Sequence, residues 1–455
     1  MAGAQTTPSP AEPPVPEAPA PSSPSSPSSP PPSPSPPTPP DMRRSGVAGA
    51  SSTAQPPEEG DDLSMTFHSS RKADMQQFAE GSLQEIHIGG AKARYALNLF
   101  GDISLGAASR SEGGIKPDPA FAVGVFDMLF NADLNDTLLA TSEVTFQYEP
   151  GAPLAELERL HIRWKPTKAF FLEAGRFHTD IGYWNVAYHH GKWLQLSIER
   201  PRLLLLHGGL LPVHWIGAQS GAHVPIGKAN LSLIGSIGSA RDLIGNPSVT
   251  SHNTHGAAFS AVNGGHVKLE LAGIGAADLR LGVSGIYARI PAEDGFARPA
   301  LPDQGIDEWI GNAYIAYPSV PLTFIAEGYL IEHRVSRGAI ASRHPGETWR
   351  TYAAFAMLGY QIGRVTPYLR GEYIANKSNS NVRDPFYVPA ESGHVANITL
   401  DVVEGTVGAR IDTSMWSALK LEYRATGGAG TRSAPNENGK YPIIHAVTAN
   451  WSFGL

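Results

Sequence analysis

The stretch that most constrains this chain is its last, residues 441–455. Every second residue there is apolar or aromatic, with one exception: Tyr441, Ile443, His445, Val447, Ala449, Trp451, Phe453 and Leu455. The interleaved set, Pro442, Ile444, Ala446, Thr448, Asn450, Ser452 and Gly454, is mostly small or polar. A period of two predicts a strand with one greasy and one wet face. A greasy strand left at a sheet edge invites aggregation. Closing the last strand onto the first removes that edge. The expected fold class is therefore all-β, an antiparallel transmembrane β-barrel whose greasy face meets lipid.

The same alternation recurs upstream. Leu160, Ile162 and Trp164 alternate with Arg159, His161 and Arg163, and Leu419, Leu421 and Tyr423 alternate with Lys420, Glu422 and Arg424. Soluble sandwiches alternate too, but here the polar face keeps full charges at mid-strand, which suits a wet lumen. Connections alternate in length. Short ones fall near 131–136, 165–168, 225–228, 273–276, 317–321, 361–365 and 412–417. Long ones fall near 110–119, 181–212, 240–258, 290–305, 336–348, 377–396 and 427–440, and only the connection near 149–153 breaks the rule. Short turns at one end and long loops at the other are the outer-membrane pattern, and the segments number about 16. A barrel of that size leaves an aqueous channel.

Composition agrees. No run approaches the roughly 18 apolar residues of a membrane helix, so a spanning chain of this kind must be a closed barrel. The chain has no cysteine, which removes disulfides and thiolate metal sites. Its net charge of -7 argues against a nucleic-acid partner. Residues 1–62 are dominated by Pro, Ser, Ala and Thr and read as a disordered tether in the periplasm. Residues 63–85 read as a short linker or helix, and 86–455 as the barrel. Ala2-Gly3-Ala4 looks like the end of a cleavage site without the apolar region before it, as in a shortened signal peptide.

The third long loop is too aromatic to lie in water. It carries Tyr183, Trp184, Tyr188 and Trp193, which want burial, and the barrel interior is the nearest dry site. Folded inward, it would carry His189, His190, Lys192, Glu199, Arg200 and Arg202 into a pore constriction. Arg159, Arg163, Arg280, Glu327, Arg370, Glu372, Arg410 and Arg424 fall on the polar register and are expected to line the lumen wall, most of them in cross-strand salt bridges.

Several motifs, in order, carry a family resemblance: Ile86-His87-Ile88-Gly89-Gly90, Asn135-Asp136-Thr137-Leu138, Ala174-Gly175-Arg176-Phe177, His189-His190-Gly191, Glu199-Arg200-Pro201 and Trp215-Ile216-Gly217. With them the chain resembles Gram-negative porins of the phosphate-selective porin O/P-like type. The resemblance covers residues 86–225 by motif and the remainder by pattern. It implies a 16-stranded homotrimeric porin with an inward-folded third loop. No dense lysine cluster or arginine ladder accompanies it, so phosphate specificity is not carried over.

Catalytic chemistry has no visible seat: no Gly-x-Ser-x-Gly, His-Glu-x-x-His or phosphate-loop motif occurs. Adjacent His189 and His190 would point to opposite faces of an extended segment, which makes a shared metal awkward. The expectation is a non-enzymatic channel without cofactor or metal. It would sit in outer-membrane lipid and pass small hydrophilic solutes, with a preference for anions from the loop's basic residues. The alternative is a structural or adhesive barrel linking membrane to cell wall.

Overall fold

The computed structural model describes residues 84–88, 91–109, 118–149, 152–188, 191–204, 210–239, 262–274, 278–291, 305–337, 348–378, 401–428 and 441–455. The tether at 1–62 lies outside the described residues, as does most of the linker at 63–85. Gln84 and Glu85, expected at the end of that linker, belong to the first strand, β1 (Gln84–Ile88). Next come β2 (Ala91–Ala108), β3 (Ala120–Val123), β4 (Phe126–Asn135), β5 (Leu138–Glu149), β6 (Ala152–Thr167) and β7 (Phe170–His178). After a long loop follow β8 (His214–Ile226), β9 (Ala229–Ser239), β10 (Gly264–Ile274), β11 (Leu279–Pro291), β12 (Gly305–Tyr317) and β13 (Leu322–Arg337). The ring is completed by β14 (Thr348–Tyr360), β15 (Val365–Ser378), β16 (Val402–Ser414), β17 (Ser417–Gly427) and β18 (Ile444–Gly454).

From β4 onward each strand pairs antiparallel with the next. β18 pairs back onto β2, with Asn450 opposite Ser104 and Trp451 opposite Ile103. The greasy last strand is thus sealed. β3 and β4 both pair with β2 and form one interrupted stave, while β1 pairs only with the first residues of β2, Ala91 to Tyr95. The eighteen strands therefore make a closed barrel of sixteen staves.

Turn chemistry fixes the short connections. Asn135 Oδ1 accepts from the Thr137 amide at 2.9 Å, an Asx turn that joins β4 to β5. Gly227, at φ 63°, supplies the left-handed residue that the β8–β9 turn needs. On β6, Glu143 of β5 faces Arg159 while Val144 faces Leu157. The resulting bulge turns both Glu158 and Arg159 inward, which strict alternation could not foresee.

The outward residues are apolar and uncovered: Leu160, Ile162, Leu421 and Trp451 are 50–57% exposed. The inward face differs from the expected wet lumen. It is buried almost all round, and on β11–β15 much of it is apolar: Ile286, Ile310, Ile325, Phe355 and Met357. The cause is the loop between β7 and β8. It lies inside the barrel and joins Tyr183, Trp184, Tyr188, Trp193, Leu203 and Leu204 to those wall residues in one cluster. Trp184 meets Phe355 edge-on with ring centroids 5.6 Å apart, and Trp193 stacks on Phe100 at 6.4 Å. Such pairs are worth about 0.5–1.5 kcal/mol each beyond the area they bury.

Candidate pore constriction

The inward loop has little regular structure: α1 (Trp184–Ala187), α2 (Gly191–Leu194) and a 3-10 turn at Arg202–Leu204. Its backbone N–H and C=O groups are cut off from water and need partners. The wall charges supply them, each sign to its own kind of group. Wall carboxylates take the loop's amides: Glu327 accepts from Tyr183 and Trp184 at 3.2 and 2.6 Å, Glu422 from Ile198 at 2.9 Å, Glu372 from Arg202 at 2.7 Å and Asp127 from Gly191 at 3.2 Å. Wall cations donate to the loop's carbonyls. Arg410 reaches Trp193 and Gln195, Lys420 reaches Lys192 and Ser197, Arg370 reaches Glu199, and Lys268 reaches Gly182. The loop enters the lumen at Gly182, whose φ of 71° only glycine adopts freely. A Cβ there would strike the Tyr329 hydroxyl and the Glu327 carboxylate.

The eight residues expected on the lumen wall all project inward. Arg159 pairs with Glu143 at 2.7 Å, Arg163 with Glu173 at 2.5 Å, and Arg280 with Glu270 at 3.2 Å and Asp278 at 3.0 Å. Arg370 pairs with Glu372 at 2.7 Å, Arg410 with Asp412 at 2.9 Å, and Arg424 approaches Glu404 at 3.8 Å. Glu327 and Glu372 hold loop amides, as above. These charges pair with one another, as the alternation suggested, and also grip the loop.

Of the six residues expected at the constriction, His189 and His190 lie outside the described residues. Arg202 is buried and serves as an anchor: its Nε donates to Glu404 at 2.6 Å and its Nη2 to Thr426 at 3.3 Å. Arg200 is also buried, 3.4 Å from Asn185 Oδ1, and burial pushes its guanidinium down to about 10. Lys192 and Glu199 are the two that meet open space, with 24% and 36% of their side chains exposed, 3.2 Å apart. Lys192 also lies 3.3 Å from Asp102 of β2. Its charge holds the Glu199 carboxyl below the usual range. Burial works against the Lys192 ammonium, but Glu199 and Asp102 outweigh it and keep it above the usual lysine value.

Asp102, Lys268 and Asp180 were missed in the sequence. Lys268 bonds Asp180 at 2.9 Å and clamps the loop's entry to β10. For Asp102 and Lys268 the signal was present, as charges on an inward register; Asp180 lies past the end of β7, and the partners of all three are distant in the chain. Among the described residues, no group of His, Asp or Glu forms a metal site.

Arg202→Met removes the cation that Glu404 and Thr426 share. Stripping one partner from a buried pair costs about 3–5 kcal/mol. The expected result is a loosened loop that protease cleaves, with a barrel that still shifts on gels upon heating. Limited proteolysis of the folded protein checks this.

No protein-family model matches the chain, and no curated protein sequence does. Solved structures do. OmpT of Vibrio cholerae in its trimer form is 12% identical, with 80% of this chain and 99% of that one covered and a TM-score of 0.51. The anion-selective porin from Comamonas acidovorans is 10% identical over 80% and 100% of the two chains, at 0.51. The outer-membrane channel DcaP of Acinetobacter baumannii is 9% identical over 81% and 99%, also at 0.51. At such identities the likeness speaks to architecture, and by its sixteen staves and closed antiparallel ring this chain has the fold of the outer-membrane β-barrel porins.

Proposed function

We propose that the chain is an outer-membrane porin that lets small hydrophilic solutes diffuse past the inward loop. The observation that carries this is the Lys192–Glu199 pair, a charged and partly solvated edge on a loop whose other described residues are mostly buried. Size exclusion at that edge is the mechanism, and no covalent chemistry is involved. Short turns would face the periplasm and long loops the exterior. A homotrimer is part of the reading, supported by the trimer form of the Vibrio OmpT structure and by the motif resemblance to phosphate-selective O/P-like porins. Phosphate selectivity is not part of it, because Arg159, Arg163, Arg280, Arg370, Arg410 and Arg424 of the wall are each engaged by an acid.

Anion preference rests on Lys192, which Asp102 and Glu199 largely offset, so the unmodified channel should be weakly selective. Glu199→Gln removes one of the two acids. The expected result is a several-fold rise in the anion-to-cation permeability ratio, read as reversal potential in a salt gradient. An unchanged potential would remove this pair from the permeation path.

The buried lumen favours a second reading, a structural or adhesive barrel whose interior is a plug. Planar-bilayer recording separates the two. Small ohmic steps support the porin, and a silent but correctly folded protein supports the structural barrel.

A further inference from the structure

The ring closes through β4, which pairs with β2 on one edge and with β5 on the other. Toward the long-loop end the same stave continues as β3, and there the pairing is one-sided. β3 bonds β2 from Ile103 to Gly106, and no strand among the described residues pairs with its other edge. β5 does not reach it. The β4–β5 pairing stops at Phe126 and Phe146, and β5 ends at Glu149 before β6 starts at Ala152. This is the one short connection on the long-loop side. A notch is left in the wall between β3 and the β5–β6 hairpin.

Both faces of β3 are uncovered. Phe121 and Val123, opposite Leu105 and Ile103 on the outward register, are 79% and 73% exposed, more than any other large apolar side chain in a described strand. Ala120 and Ala122, opposite Gly106 and Ser104 on the inward register, are exposed as well. Elsewhere the inward face is buried, and here it opens. Asn450 donates to Ser104 and to Asp102, both at 2.9 Å, and Asp102 is the wall partner of Lys192. The notch therefore stands beside the charged edge of the loop.

Lipid cannot finish this wall. A strand edge carries N–H and C=O groups that acyl chains do not satisfy, and open edges do not stand in hydrocarbon. The outward residues around the notch, Leu105, Phe121, Val123, Phe126 and Phe146, bear no charge, so nothing there selects a charged partner. A second copy of the chain offers what lipid lacks: apolar side chains of the same kind, and a β3 edge in need of the same cover.

We propose that this notch is the contact between copies in a three-fold assembly, and that each neighbour completes the lumen wall that one chain leaves open at β3. Three such rims about one axis cover one another's edges and separate the water beside Ser104 and Ala122 from lipid. The proposal rests on the homotrimer reading above and names its contact face. It does not depend on which solute passes.

The test uses the full chain folded in detergent, with the photo-reactive residue benzoylphenylalanine in place of Phe121 or, in a second protein, of Leu233 on the outer face of β9. Illumination should yield covalent dimers and trimers from position 121 and only monomers from position 233. Native mass spectrometry should show the trimer of F121S/V123S weakened by roughly tenfold, the scale of a packing contact or two lost between membrane segments. Heat-shifted gel mobility verifies that this variant is folded, and the cross-linking decides if it is not. A wild-type protein that is monomeric overturns the homotrimer reading and this face with it. A wild-type trimer that cross-links from position 233, or whose adducts at position 121 form with detergent alone, overturns this face and leaves the homotrimer standing.

Discussion

Replacing residues 184–203 with a short Gly-Ser bridge is expected to raise single-channel conductance by about an order of magnitude, because an empty barrel of this size holds an aqueous channel. The described loop fills the lumen with Trp184, Tyr188, Trp193, Leu194 and Leu203, each under 9% exposed. Its removal frees Glu327, Glu372, Glu422, Arg410 and Lys420 from loop backbone. In a water-filled lumen they would be hydrated, so the barrel survives. Thermal stability should fall all the same, because Ile310, Phe355 and Met357 lose their cover. Planar-bilayer recording of the excised and intact proteins checks the first effect, and the temperature of the heat-induced gel shift checks the second. Unchanged conductance would mean that the loop is not what narrows the path.

Leu421→Arg is expected to destabilise the barrel by about 2–4 kcal/mol, the cost of a cation near the bilayer midplane. Leu421 sits at the centre of β17, 57% exposed and pointing outward, between the inward Lys420 and Glu422. In water such an exposed change would move stability by less than about 0.5 kcal/mol. The substitution therefore asks what solvent the outer face meets. Urea-dependent unfolding in lipid vesicles gives the number. The same change at Ser417, beside the short β16–β17 turn, should cost close to nothing, since the penalty falls toward the interface.

The ring was legible in the sequence because its cause is local. Alternation on β17 and β18 sets which residues face lipid, and glycine and Asn-Asp pairs set the short turns. That the β7–β8 loop turns inward was also legible, since four aromatic residues in one loop require burial. The hold of the lumen charges on the loop was not. Glu327, Arg370 and Arg410 could be assigned to the inner register from spacing alone. Their partners, Trp184, Ser197 and Trp193, lie some 143 to 217 residues away in the chain, and only the folded loop brings them together. For the same reason Arg202 looked like a constriction residue and is instead an anchor. The bulge at Glu158 was invisible because nothing in a strictly alternating reading marks the extra residue.

The central claim is that the rings on the outer register touch acyl chains while those on the loop do not. Brominated-lipid quenching of single-tryptophan variants tests it directly. Trp451, Trp309 and Trp164 are 46–56% exposed on the outside, and Trp184 and Trp193 are at most 3% exposed within. Bromine on the lipid tails should quench the first three strongly and leave the two loop tryptophans bright. Strong quenching of Trp184 and Trp193, or bright Trp451, Trp309 and Trp164, would contradict the account.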